Sequence, residues 1–321
     1  MTTLLTVLLG CYLLGGLLPL CTSRPHLQNS LAHSSAAAGG SAGIALGLGG
    51  LFAAQPLTIS VPSNIPYLTC ALRLDPLAAF FVLTISLVGL AASMYAYGYV
   101  REFTGRVSVG LLGSLLNGFL LSMTLVVLAD NGFFFLILWE IMSLLSYLLV
   151  VTEHEKPGVR EAGLFYLIMT HVGTAFIILT FVIFSQEAGS FSFEDFRHPD
   201  QRLPEGLRSI AFFTALIGFG AKAGIVPLHV WLPYAHPAAP SHISALMSGV
   251  MIKTAIYGLI RVYFDFLDGV FPWWWGFTVL SIGAVSALLG VLYALMEHDL
   301  KSLLAFHSVE NIGIILLGFG A

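Results

Sequence analysis

The sequence predicts an all-α, polytopic transmembrane helical bundle, on three observations. Of 321 residues, 57% are hydrophobic and 9% charged, where an ordinary soluble domain carries about 25% charged residues. Mean hydropathy is +0.90, which means more apolar surface than one water-solvated core can bury. About ten stretches are long enough to span, at roughly 20 mostly apolar residues each, a length that rises about 30 Å as a helix. Runs of this length are too long for barrel strands, and backbone polar groups in lipid must close within their own segment, so helices follow.

The spans fall at about 3–20, 36–54, 76–99, 107–128, 132–152, 162–185, 208–231, 242–263, 273–296 and 302–320. The first, MTTLLTVLLGCYLLGGLLPL, reads as a helix rather than a signal peptide. It lacks a positive n-region, the first basic residue being Arg24, and it exceeds an h-region of about 7–15 residues. The second, AAAGGSAGIALGLGG, carries Gly39, Gly43 and Gly47 at four-residue spacing, which lets a neighbouring helix approach closely. A flexible Gly/Ala linker is the alternative there. Residues 55–73 hold Pro56, Pro62 and Pro66 among β-branched residues and read as a short extended hairpin. The polar, Pro-containing segment 189–209 reads as an extramembrane loop on the same side.

Charge and cysteine usage exclude several classes. A net charge of −4 without a basic run gives no nucleic-acid surface. Cys11, Cys21 and Cys70 are scattered, with no CxxC and no Cys/His grouping at metal-ligand spacing, so no metal or cofactor is expected on this chain. Orientation is not specified. Arg24, Arg101, Arg106, Lys156, Arg160 and Lys301 fall on one side, and Arg73, Arg197, Arg202, Arg208 and Arg261 on the other.

Three charges lie inside spans, where each costs at least about 2.5–3.5 kcal/mol on insertion scales and is usually functional. Glu140 lies in LWEIMSLLSYLLV (138–150) and Lys222 in GFGAKAGIVPLHVWLP (218–233). Lys253 lies in SHISALMSGVMIKTAIYGLIR (241–261), after the Pro-rich turn AHPAAPSH. Pro227, with Pro233 beyond it, breaks the seventh span beside Lys222, and a broken helix in a membrane lines a cavity or packs on protein. Burial in general favours a neutral lysine and a nearby carboxylate a charged one, so a carboxylate that comes and goes makes a switchable proton carrier. The competing readings are a hydrogen-bonded carboxylic acid tying helices together, and lysines that snorkel to the interface. His171 in span six, His229 and His236 at the break, and His242 opening span eight are relay candidates by type. His307 and Glu310, three apart on one face of span ten, either continue the polar track or sit at a helix mouth.

These segments, together with DLKSLLAFHSVENIGIILLG, resemble the antiporter-like subunits shared by respiratory complex I, Mrp cation/proton antiporters and membrane-bound hydrogenases, over roughly residues 70–320. PSHISALMSGVMIKTAIYGLIR and LLAFHSVENIGIILLG look most like the hydrogenase-4 component B and formate hydrogenlyase subunit 3 group. The resemblance implies that Glu140 is the helix-five glutamate, Lys222 the broken-helix-seven lysine that pairs with it, and Lys253 the helix-eight lysine of a central hydrophilic axis. It implies inverted five-helix repeats, dividing the chain into N-terminal helices (1–100), a first repeat (101–265) and the start of a second (266–321). It also implies proton translocation in a bacterial or archaeal cell membrane, beside other membrane subunits and soluble Ni–Fe and iron–sulfur subunits. A complex I subunit and a Na⁺/H⁺ antiporter subunit are the alternatives. Because the second broken helix is missing, the sequence is expected to be an N-terminal fragment of a longer protein.

Overall fold

The computed structural model describes residues 1–197, 203–267 and 272–321. In chain order it holds α1 (Thr2–Leu17), α2 (Pro25–Leu51), a hairpin of β1 (Leu57–Pro62) and β2 (Thr69–Leu74), α3 (Pro76–Tyr99), α4 (Val109–Leu128), α5 (Gly132–Val150) and α6 (Val159–Ala188). There follow α7 in two halves (Glu205–Ala223 and Leu232–Ala238), α8 (Ser241–Phe266), α9 (Trp273–Met296) and α10 (Leu300–Gly320). Every expected span is a helix. Among the described residues nine are long and apolar enough to cross a membrane, and α2 is the exception. It is 27 residues long, but Ala, Gly, Ser and His contribute little hydropathy. It also begins eleven residues before the expected start, with Pro25 at its first turn. Its early polar residues can join the helix because the fold receives them: Asn29 is buried and donates to the Tyr97 carbonyl at 2.9 Å. Residues 198–202 of the polar 189–209 loop, Arg202 among them, lie outside the described residues.

The described chain forms two compact units, Met1–Glu153 with Pro240–Thr254, and His154–Ala239 with Ala255–Ala321. In the first unit α2 lies against α3 as its glycine spacing predicts. A Cβ at Gly47 would come within 2.8 Å of the Leu83 backbone nitrogen and 2.9 Å of the Ala79 carbonyl. The hairpin forms where expected, antiparallel with Leu57 opposite Leu74 and Pro62 opposite Thr69. It is tied to the link between α4 and α5, since Asp130 N–H donates to the Ala71 carbonyl at 2.9 Å.

Asn131 serves both elements. Its side-chain oxygen caps α5 by accepting from Phe134 N–H at 2.9 Å, and its amide donates to the Tyr67 carbonyl at 3.3 Å. Asn131→Ala is therefore expected to cost about 1–2 kcal/mol. The check is the Tm of the detergent-purified protein.

In the second unit α9 and α10 pack through small residues, and so do α6 and the first half of α7. A Cβ at Gly173 would lie 2.9 Å from the Gly218 carbonyl, and one at Gly218 2.9 Å from the Gly173 carbonyl. Outside the spans, Asp299 caps α10 by accepting from Ser302 N–H at 2.9 Å. That bond chiefly holds its carboxyl below the usual carboxylate range. The cap is complete above the ordinary carboxylate pKa and is lost as pH falls through the lowered one.

Helix α8 is not uniform. It runs as α-helix to Leu246, as π-helix over Met247–Met251, as α-helix over Ile252–Ile260, and as π-helix again over Arg261–Phe266. Such π turns in helices often mark functional positions.

Candidate functional site

The break in α7 is built by glycine first and proline second. The first half ends at Gly224, whose φ is +79°, and both Gly224 N–H and Ile225 N–H donate to the Gly220 carbonyl, at 2.8 and 3.1 Å. This is the left-handed glycine stop that closes many helices, with proline following a few residues on. Pro227 then joins Val226 through a cis peptide bond, and a 3₁₀ turn, Leu228–Trp231, leads into the second half. The backbone groups loosened by the break are not all open to ions. The Ala221 carbonyl accepts from the Trp231 indole N–H at 2.8 Å, and Val226 N–H donates to Ser286 Oγ at 3.0 Å.

Lys222 lies two residues before the stop and is 1% exposed. Its Nζ donates to the Tyr166 hydroxyl at 2.7 Å and stands 4.9 Å from that ring's centroid, a hydrogen bond and a cation–π contact with one side chain. The close crossing of Gly173 and Gly218 makes this meeting possible. Lys222 is one turn beyond Gly218 and Tyr166 two turns before Gly173, and the long lysine stem covers the difference. Tyr166 packs on Trp231 at 4.7 Å, and Trp231 on the buried His236 at 6.3 Å. Tyr166→Phe removes the hydroxyl that meets a buried ammonium, a bond worth about 1.5–3 kcal/mol. The loss is expected as a lowered Tm of the detergent-purified protein.

His229 and Pro233 line an open cavity of about 860 Å³ in the same unit, with Lys156, Phe165, Tyr234 and Glu297. His307 and Glu310 pair with each other, Nδ1 to Oε2 at 2.5 Å. His171 is on the exposed face of α6, its Nδ1 2.9 Å from the Leu167 carbonyl of its own helix.

In the first unit Glu140 is half-buried on α5. Lys253 is half-buried on α8, with Nζ donating to the Ser248 carbonyl at 2.6 Å. That acceptor is five residues back, in the π turn, where the ordinary ladder is displaced. His242 is 1% exposed. Glu140, Lys253 and His242 therefore share one unit, and Lys222, His171, His229, His307 and Glu310 the other.

Tyr166 was not legible as a site residue, because one tyrosine in LFYLIMTHVG looks like any interior aromatic. Among the described residues no group of three or more His, Cys, Asp or Glu stands close enough to hold a metal ion.

Residues 129–321 match the family described as NADH:quinone oxidoreductase/Mrp antiporter, TM. The chain is 46% identical over 283 residues to hydrogenase-4 component B of Escherichia coli, covering 88% of this chain and 42% of the relative. It is 32% identical over 294 residues to formate hydrogenlyase subunit 3 of the same organism, covering 92% and 46%. The chain thus spans less than half the length of either relative. A solved archaeal respiratory complex, the membrane-bound sulfane sulfur reductase, contains a chain that matches with TM-score 0.83 and 25% identity, over 99% of this chain and 51% of that one.

Proposed function

We propose that this chain, which belongs to the NADH:quinone oxidoreductase/Mrp antiporter transmembrane family, carries protons across the membrane within a hydrogenase or formate-hydrogenlyase-type complex. It is a multi-pass integral membrane protein of a prokaryotic membrane. Its relatives belong to multi-subunit membrane complexes, so its neighbours include other membrane subunits. The soluble Ni–Fe and iron–sulfur subunits, where the redox chemistry takes place, belong to the proposal.

The observation that carries it is the buried Lys222, held on Tyr166 two residues before the helix stop. Glu140 on α5 is its proposed electrostatic partner. With the carboxylate near, the ammonium keeps its proton; with the carboxylate withdrawn, a buried amine gives it up. Lys253, half-buried on α8 just beyond its first π turn, takes the next position. His229 at the cavity in unit two, His242, and the His307–Glu310 pair are proposed stations on either side. The exposed face of α6 leaves His171 the weakest of the proposed set. The division at residues 100 and 265 into N-terminal helices, first repeat and second-repeat start is proposed with it.

The test is proton pumping by the full-length complex with Lys222→Ala: pumping stops while the complex still assembles. The family description also covers quinone reductases and cation antiporters. Sodium-dependent transport in vesicles would favour the antiporter setting, and quinone-linked turnover the quinone-reductase setting.

A further inference from the structure

Unit one holds a polar line that runs inward from an exposed histidine to the buried His33 and His242. Helix α2 carries His26, Asn29 and His33, at spacings of three and four and so on one face. His26 and Asn29 line a cavity of about 460 Å³ with Pro25, Arg101, Thr104 and Val109, at the end of the unit where α2 and α4 begin and α3 finishes. One turn deeper, His33 is 2% exposed and its Nδ1 has no hydrogen-bond partner. Its ring meets that of His242 on α8 edge to face, with centroids 6.4 Å apart. The Tyr99 ring also meets that of His242, at 5.6 Å, and its hydroxyl is 3.5 Å from Ser241 Oγ. From His242, Ser244 and Ser248 remain partly accessible along α8 until Lys253 binds the Ser248 carbonyl.

A buried imidazole with an unpartnered nitrogen, as at His33, is an expensive way to fill a core. A buried polar atom left without a partner costs about 1–3 kcal/mol, and leucine or alanine would pack there without it. A relay between rings whose centroids are 6.4 Å apart calls for one bridging water.

We propose that His33 and His242 form a proton relay that takes protons from the His26–Asn29 cavity and passes them towards Lys253, an intake separate from the break in α7. The proposal rests on the proton-translocation reading above. A proton from cavity water adds to one ring nitrogen of His33, and the proton on the other nitrogen leaves to the bridging water. That water protonates His242, which releases its own second proton along the Ser244–Ser248 side of α8. Each ring returns by exchanging tautomers. Only N–H and O–H bonds form and break, and no electrons move. The eleven residues from His242 to Lys253 cover about 16 Å, so this last stretch runs over water held by the serines.

Proton uptake is measured in inverted vesicles holding the full-length complex, with His33→Gln, His242→Gln, the double variant, and Lys222→Ala in parallel. Each glutamine variant is expected to slow uptake about 10- to 100-fold. The double variant is expected to be no slower than the worse single one, because the two act in series. In His33→Ala and His242→Ala, added imidazole is expected to restore part of the rate, which no packing role would show. Parental uptake in both glutamine variants overturns the relay, and so does a loss that imidazole does not touch in assembled alanine variants. If Lys222→Ala also pumps normally, the translocation reading has failed. If Lys222→Ala stops uptake while the histidine variants run at the parental rate, the relay alone has failed.

Discussion

Lys222→Ala is expected to reduce proton translocation by about 10²- to 10⁴-fold, the range that positioned proton-transfer groups contribute, in a complex that still assembles. Three substitutions separate the reasons. Alanine removes charge, donor and stem, and leaves a hole beside Tyr166 and Trp231. Lys222→Met fills most of that space without a proton to give, and the same loss is expected. Lys222→Arg keeps the charge and can still reach the Tyr166 hydroxyl, but a guanidinium does not deprotonate in proteins. If Lys222 hands on a proton, arginine fails as well. If it serves only as a fixed positive charge, arginine works. Pumping is read by dye quenching in vesicles and assembly on native gels. More than half of parental pumping with methionine would remove Lys222 from the mechanism.

Gly224→Val is expected to be the most damaging single substitution at the break. The position sits at φ +79°, and a Cβ there would run into the Leu232 side chain. Left-handed backbone costs a β-carbon about 1–2 kcal/mol, and overpacking adds about 1–3 kcal/mol. Valine also loads the turn that holds Lys222 two residues earlier. The expected result is a loss of about 2–5 kcal/mol, seen as a lowered Tm and poor recovery of assembled complex, with Gly224→Ala shifted the same way by less. Gly206 near the start of the same helix is the control. A Cβ there meets nothing within 4 Å, so Gly206→Ala should leave stability unchanged or slightly raised.

Much of the architecture was readable because lipid imposes length and apolarity on every span. The charges inside spans were conspicuous for the same reason. What was not readable depends on how helices face each other. Tyr166 and His171 belong to one apolar run, five residues apart, hence about 140° apart around α6. Histidine drew attention by type, yet it is the tyrosine that turns to Lys222, because Gly173 and Gly218 set the contact side. At the break, Pro227 was visible as the helix breaker, while the stop itself is Gly224, one small residue among many. The start of α2 was set too late since His33 and Asn29 look costly in lipid. They are buried in protein instead.

The π turn at Met247–Met251 has a consequence for chain length. Five residues wound at the wider π pitch fall behind an α-helix by roughly the turn of one residue, about 100°. The segment thus behaves as an α-helix with a single residue inserted. Deleting one residue there should let the helix close up as ordinary α, with little change in apolarity. Four α residues turn about as far as these five, so the faces on either side would keep their relative orientation, while the Ser248 carbonyl would return to the regular ladder and Lys253 would lose its acceptor. Composition in this stretch is free to drift within apolar types, whereas its residue count is not.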